Sequence, residues 1–432
     1  PAPPGPTPPG PTPPTVTNVK IGNISHLTGP FTETGVTNAM ALWDYTYWWN
    51  EEVGKKIGVE IDLITEDCRT DPTLISEIWM RYRDAGVIAC LVSTSAENTI
   101  LMGEFKDTQT PAIGTSASWY PYIPTGWTFN GYIASEAENL ALIKWLESPE
   151  GMEHEKDKSW VKEGRKPCFG HIGWNSPLGK SPIAAIFEYC KKNNNPWAGT
   201  ELMPMVFPTA EAQLKRLVAR GADYIQMNMC GAMPSVILRD AYRLKLREQG
   251  VQTTDSDIVV TGLINLAEEA GEGVLVANSF GLPQENFPAM QRMQRVHKER
   301  TGKELEYTFL YWGAWGCCSM LYETIRYLVE DKGIDPVEIT GKDIRDAFIS
   351  GKVKVDPEGA FAEPFCYIGG CGLSLCHKCR VTEWNWLSEE KRGYYEILTD
   401  WIPYVGDWSN TEARRAELVA SEKEAMKGPW TP

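Results

Sequence analysis

Several things are scarce in this 432-residue chain, and each shortage removes a class of function. No apolar run approaches the ~18–20 residues that a membrane-crossing helix needs. Histidine occurs five times, at 26, 154, 171, 297 and 377, and no two stand at a metal-ligand spacing. There is no GxSxG elbow, no glycine-rich Walker loop and no HExxH helix. The signatures of nucleophilic, phosphate-binding and zinc-hydrolase chemistry are therefore missing, and the chain reads as a non-enzyme with no cofactor. Positive charge is also short, with 42 basic residues against 57 acidic and a net charge of −15. Nucleic-acid phosphates need a basic face, so nucleic acid is excluded as a partner, as is direct adhesion to anionic lipid. A leader is lacking too. The chain opens with Pro1-Ala2-Pro3-Pro4 instead of a charged and then apolar segment, the expectation for a mature or trimmed form.

What is abundant says more. The length exceeds the ~250–300 residues at which single cores stop growing, so two lobes are expected. Residues 1–17 form a linker whose first fifteen residues, PAPPGPTPPGPTPPT, favour extended polyproline II at roughly 3 Å per residue. Such a segment suits a spacer behind a lipid tether, and equally a plain disordered terminus. Eleven cysteines imply either disulfides in an oxidising compartment or metal and redox chemistry, and an odd count leaves at least one thiol free. Seventeen tryptophans suit both core packing and an aromatic ligand wall.

From Thr17 onward, strand and helix patterns alternate. Strands are predicted at Val19–Leu27, Val59–Thr65, Val87–Val92 and Ala112–Thr115, with helices at about Val36–Glu52, Pro72–Ala85 and Ser135–Leu146. After a polar stretch at 147–167 the alternation restarts, with strands at Cys168–Gly173, Leu202–Phe207, Tyr224–Met229 and Ile258–Thr261. Two consecutive βα series predict an α/β fold of two parallel-sheet, Rossmann-like lobes joined by a multi-strand hinge. The expected division is 18–135 plus 282–355 for the first lobe, and 136–281 plus 356–432 for the second, with a cysteine-rich C-terminal extension. Ligands bind such sheets at the carboxyl ends of the strands, which between two lobes is a cleft. The first-lobe strands end in LTGPFTETG (27–35), VSTSAEN (92–98) and GTSASWY (114–120). Short hydroxyls and free backbone N–H groups at helix starts suit a polar head group, although each loop alone is also an ordinary helix cap. His26, closing the first strand, reads as a capping or core residue beside this cleft.

These loops, with EDCRTDP (66–72), GWNSPLGKS (173–181), ADYIQMNM (222–229), GEGVLVANSF (271–280), FLYWGAW (309–315) and KDIRDAFISGKVKVDPEGA (342–360), carry a family likeness. In that order and spacing they resemble the type I periplasmic binding proteins, in particular the leucine/isoleucine/valine receptor branch of ABC importers, over roughly residues 18–410. The resemblance implies a receptor, periplasmic or extracellular and possibly lipid-anchored, that closes on a small-molecule ligand and passes it to an ABC permease. It places ligand contacts on Ser93, Thr94, Ala117, Ser118 and Trp119. A first-loop aromatic of the family falls at Thr34, and two second-lobe tyrosines fall at Leu178 and near Cys230, with Asn228 as polar neighbour. The family's ammonium-gripping carboxylate falls near Ile264, beside Asn265, and is missing, which disfavours an α-amino acid. Hinge-side aromatics fall on Tyr311, Trp312 and Trp315. The ligand expected is a small carboxylate or amide with an apolar or aromatic body, with a branched amino acid next in line. A sensory ectodomain of the same fold is the other reading. The resemblance also implies a Cys68–Cys90 disulfide, and Cys168 and Cys190 bracket a similar unit. Cys366, Cys371, Cys376, His377 and Cys379 crowd a glycine-rich loop, where two disulfides, a zinc ion or free thiols are open.

Overall fold

The computed structural model describes residues 16–432 apart from 116–117, 132–133, 257–263, 283–284, 306–308, 357, 360–366, 368–371, 373–377, 404–406 and 408, and apart from the side chains of 264–265 and 309. The first sheet is built from β1 (Thr17–Ser25), β2 (Val59–Asp67), β3 (Ala89–Val92), β4 (Ala112–Gly114) and β5 (Thr128–Asn130), with α1 (Thr32–Glu52), α2 (Pro72–Asp84) and α3 (Ser95–Asp107) between them. All neighbours are parallel, in the order β2-β1-β3-β4-β5. Local chemistry fixes the helix starts. Asp71 accepts the Thr73 N–H ahead of Pro72, and Thr94 and Glu97 form a reciprocal capping box on α3.

The chain then enters the second sheet through α4 (Ser135–Leu146), α5 (Pro149–His154) and α6 (Ser159–Lys162). There follow β6 (Phe169–Trp174), α7 (Pro177–Lys180), α8 (Ile183–Asn193), β7 (Trp197–Met203), α9 (Glu211–Ala219), β8 (Tyr224–Asn228), α10 (Met233–Arg243), β9 (Gln252–Ser256) and β10 (Leu275–Asn278). Next come α11 (Pro288–Thr301), α12 (Phe309–Glu330) and α13 (Gly341–Ile349), and then β11 (Lys378–Leu387), β12 (Arg392–Ile397), β13 (Ile402–Pro403) and α14 (Glu412–Ala425). The second sheet runs β12-β11-β10-β9-β8-β6-β7. Its β7-β6-β8-β9-β10 part is parallel and repeats the strand order of the first sheet, while β11 and β12 add an antiparallel edge.

Helices α11 and α12 return to the first sheet. A buried carboxylate, Asp44 of α1, accepts hydrogen bonds from Tyr311 Oη and His297 Nδ1, both at 2.7 Å, and pairs with Arg300. Thr46 Oγ1 and Tyr322 Oη, 2.8 Å apart, also tie α1 to α12. Among the described residues no helix is long and apolar enough to cross a membrane.

Some expectations shift. The strand expected at 202–207 begins at Trp197, and the antiparallel pair β11–β12 was not anticipated. The strand expected at 258–261 lies outside the described residues, and the strand preceding it in the chain is β9. The expected Cys68–Cys90 disulfide is corrected: both thiols are free and fully buried, as are Cys168 and Cys190. Cys68 Sγ sits 3.2 Å from His26 Nδ1, while Cys90 Sγ turns to the Leu91 carbonyl. Cys366, Cys371, Cys376 and His377 lie outside the described residues.

Candidate ligand cleft

Each sheet reverses its strand order at one point, between β1 and β3 in the first and between β6 and β8 in the second. Loops diverge there, which opens a crevice at the carboxyl ends of the strands. In the first sheet this point is lined by hydroxyls and an amide. Ser93 Oγ lies 3.2 Å from Ser25 Oγ, Thr115 Oγ1 donates to the Ser93 carbonyl at 2.5 Å, and Asn38 Nδ2 donates to Thr115 Oγ1 at 3.1 Å. Asn38 Oδ1 is buried with no hydrogen-bond partner among the described residues. Gly35 lets α1 start against this floor, because a Cβ there would stand 2.1 Å from the His26 carbonyl oxygen.

At the facing point of the second sheet, Asn228 Nδ2 donates to the Leu178 carbonyl and, at 3.3 Å, to Ser181 Oγ, which pins α7 over the strand end. Asn228 Oδ1 is buried and unmet, like its counterpart in the first lobe. The two points meet. The ring of Phe31, in the loop after β1, stands edge-on to Trp174 at the end of β6, 5.5 Å between centroids. Thr34 Oγ1 lies 3.9 Å from Cys230 Sγ. Burial pushes the Cys230 thiol up to about 12, and the Glu33 and Asp255 carboxylates add to that.

Of the residues expected at the site, Thr34, Ser93, Leu178, Asn228 and Cys230 come together around this seam. Thr94 is at its edge as the α3 cap. Ser118 is buried, and Ala117 and the side chain of Asn265 lie outside the described residues. Trp119, Tyr311 and Trp312 go elsewhere. Trp119 packs with Tyr122, Ala137, Ala184 and Leu418, and its backbone N–H donates to Glu136 Oε1 at 3.0 Å. Tyr311 is held by Asp44, and the buried Trp312 faces Phe287 at 4.6 Å.

The feature that sequence reasoning undervalued is His26. Its Nε2 is 2.6 Å from Glu97 Oε1, and its Nδ1 faces Cys68 and, at 3.1 Å, Thr70 Oγ1. Burial lowers the imidazole pKa, but the Glu97 carboxylate and Cys68 outweigh it and hold the ring at about 10. His26, Cys68 and Glu97 are, among the described residues, the one group whose metal-capable atoms all lie within 4.8 Å. Cys68 and Glu97 stand nearest different ring nitrogens, so the trio works as a buried polar clasp joining the loops after β1 and β2 to the start of α3. Glu136, fully buried in the first turn of α4, is pushed up to about 8 by burial.

A model of the periplasmic binding protein family matches residues 18–361. The chain belongs to that family. Solved periplasmic binding proteins share the fold of this one. A branched-chain amino acid ABC transporter protein from Thermus thermophilus, solved with valine, superposes with a TM-score of 0.73 at 19% identity, over 90% of this chain and 97% of that one. An ABC transporter substrate-binding protein from Aeropyrum pernix gives 0.73 at 16% identity, covering 95% and 99%. A solute-binding protein from Rhodopseudomonas palustris BisB5, in complex with 3,4-dihydroxybenzoic acid, gives 0.72 at 14% identity, covering 91% and 99%. A search of curated proteins returns no match. The family and these structures are of solute-binding proteins, not enzymes.

Proposed function

We propose that this periplasmic binding protein is the extracytoplasmic receptor of an ABC importer, which closes its lobes on a small amino-acid-like, carboxylate or amide ligand and delivers it to the permease. The observation that carries the reading is the meeting of the two strand-order reversals, through Phe31 against Trp174 and Thr34 against Cys230. Closure across such a seam removes the ligand from water and forms the surface a permease reads. Ser93, Thr94, Ser118 and Ala117 are assigned to the polar head of the ligand, with Thr34, Leu178, Asn228, Cys230 and Asn265 around the far end. Phe31 and Trp174 are added as walls for its apolar body. The unmet oxygens of Asn38 and Asn228, one from each lobe, ask for N–H or O–H donors. Together with the buried Asp255, they bring amide and amino groups level with a simple carboxylate, despite the missing acid near Ile264.

A thermal-shift screen of amino acids, amides, quaternary amines and aromatic acids tests this. A stabilising compound is expected, and its affinity should fall by about 1–3 kcal/mol in Ser93→Ala, the cost of leaving a buried polar group unpaired. No hit in any class, or a hit indifferent to both Ser93→Ala and Trp174→Ala, defeats the assignment.

A further inference from the structure

A cavity of about 440 Å³ opens on the first lobe, away from the strand ends, between α1, α11, α12 and the residues Lys354, Val355, Asp356 and Glu358. Its size falls in the range of small-molecule sites, ~300–1,000 Å³. Tyr45, Trp48, Trp312 and Trp315 form its aromatic wall. Tyr45 stands edge-on to Trp315 at 4.8 Å, and Trp48 is near-parallel to Trp315 at 6.2 Å, which leaves a layered ring surface. An aromatic body is the natural filler for such a wall.

Charge of both signs rims these rings. Arg292 lies 4.5 Å over Trp48 and pairs with Glu358 at 2.6 Å, and Arg326 pairs with Glu323 and Glu330. That leaves Lys354 and Asp356; the Oδ1 of Asp356 accepts the Glu358 N–H at 2.8 Å. Both are exposed, neither has an ion-pair partner among the described residues, and they stand two residues apart on one extended segment. Glu358 Oε2 also lacks a hydrogen-bond partner among the described residues. Among the described residues, a cation without an ion pair and two carboxylates stand beside a ring stack, which matches a molecule that carries an anion, a cation and an aromatic body.

We infer that this cavity is a second ligand site, separate from the interlobe cleft, for a small aromatic zwitterion. The carboxylate of such a ligand meets Lys354, its ammonium meets Asp356 and Glu358, and its ring packs against the Tyr45, Trp48, Trp312 and Trp315 wall beside the Arg292 guanidinium that covers one face of Trp48. The site also touches the connections between the lobes. The Glu358 carbonyl accepts the Ala289 N–H at 3.2 Å, joining the chain that leaves the first lobe to the chain that enters it. Gly359, at φ +86°, packs so closely on Phe287 that a Cβ there would stand 2.6 Å from the Phe287 Cβ and 3.2 Å from the ring. An occupant leaning on Glu358 therefore stiffens both connections, a consequence that rests on the closure reading above, while the site itself does not.

The test is calorimetric titration of the full chain with L-phenylalanine as probe, with benzoate, phenethylamine and alanine as arms lacking one charge or the ring. Phenylalanine should bind the double cleft variant Ser93→Ala/Trp174→Ala as it binds the unaltered chain. Trp48→Ala and the exposed Lys354→Glu should each weaken it about tenfold or more, or ~1.4 kcal/mol. No phenylalanine binding, or binding lost in the cleft variant and kept in Trp48→Ala and Lys354→Glu, overturns the second site. Benzoate or phenethylamine binding as tightly as phenylalanine overturns the zwitterion assignment.

Discussion

Glu136→Gln should make the protein more stable at high pH and leave it nearly unchanged at low pH. Glu136 is fully buried; its Oε1 accepts the Trp119 N–H, and its Oε2 has no hydrogen-bond partner. Burial raises its pKa from 4.5 to about 8 in the folded chain. Between those values the folded state holds a proton that the unfolded state has released, so the stability this proton provides is full at low pH and lost as pH rises through 8. The slope is about 1.4 kcal/mol per pH unit, and the sum across the window is at most about 5 kcal/mol. Glutamine keeps an acceptor for Trp119 and cannot ionise. Urea denaturation of both proteins at pH 5, 7 and 9 gives the difference profile. Glu422, also raised by burial, contributes to both proteins and cancels in that difference. Parallel profiles, with no gain for Glu136→Gln at pH 9, would refute the buried protonated carboxyl.

Asp44→Ala should destabilise the first lobe by about 3–5 kcal/mol, because it leaves Arg300, His297 and Tyr311 without their shared buried partner, and chemical denaturation reads this directly. Alkylation of the denatured, unreduced chain followed by mass spectrometry should label both Cys68 and Cys90, whereas a peptide linking the two would contradict the free thiols.

Much of the fold could be read from the chain because local patterns decide it. Ser135–Leu146 forms the helix its periodicity suggests, and Thr94 and Glu97 cap α3 as a Thr-x-x-Glu sequence should. The loops after β1, β3 and β4 carry hydroxyls where the strand order reverses, which composition alone makes visible. The partners of the expected aromatic residues were not legible, for a physical reason. Spacing shows that Tyr311 and Trp312 lie on a helix, but not that the Tyr311 hydroxyl pairs with Asp44, 267 residues away. Thr34 and Cys230, 196 residues apart, likewise meet only once both sheets exist. A disulfide between Cys68 and Cys90 looked natural from their flanking positions, but His26 takes the Cys68 side chain. The edge pair β11–β12 did leave a signal in the sequence, where Trp384 and Trp386 alternate with Glu383 and Asn385.

Small-angle X-ray scattering on the purified chain, alone and saturated with the best compound from the thermal-shift screen, tests lobe closure most directly. The ligand should shrink the radius of gyration, and Ser93→Ala should need more ligand to reach the same compaction. A saturating ligand that leaves the scattering curve unchanged would contradict capture by hinge closure.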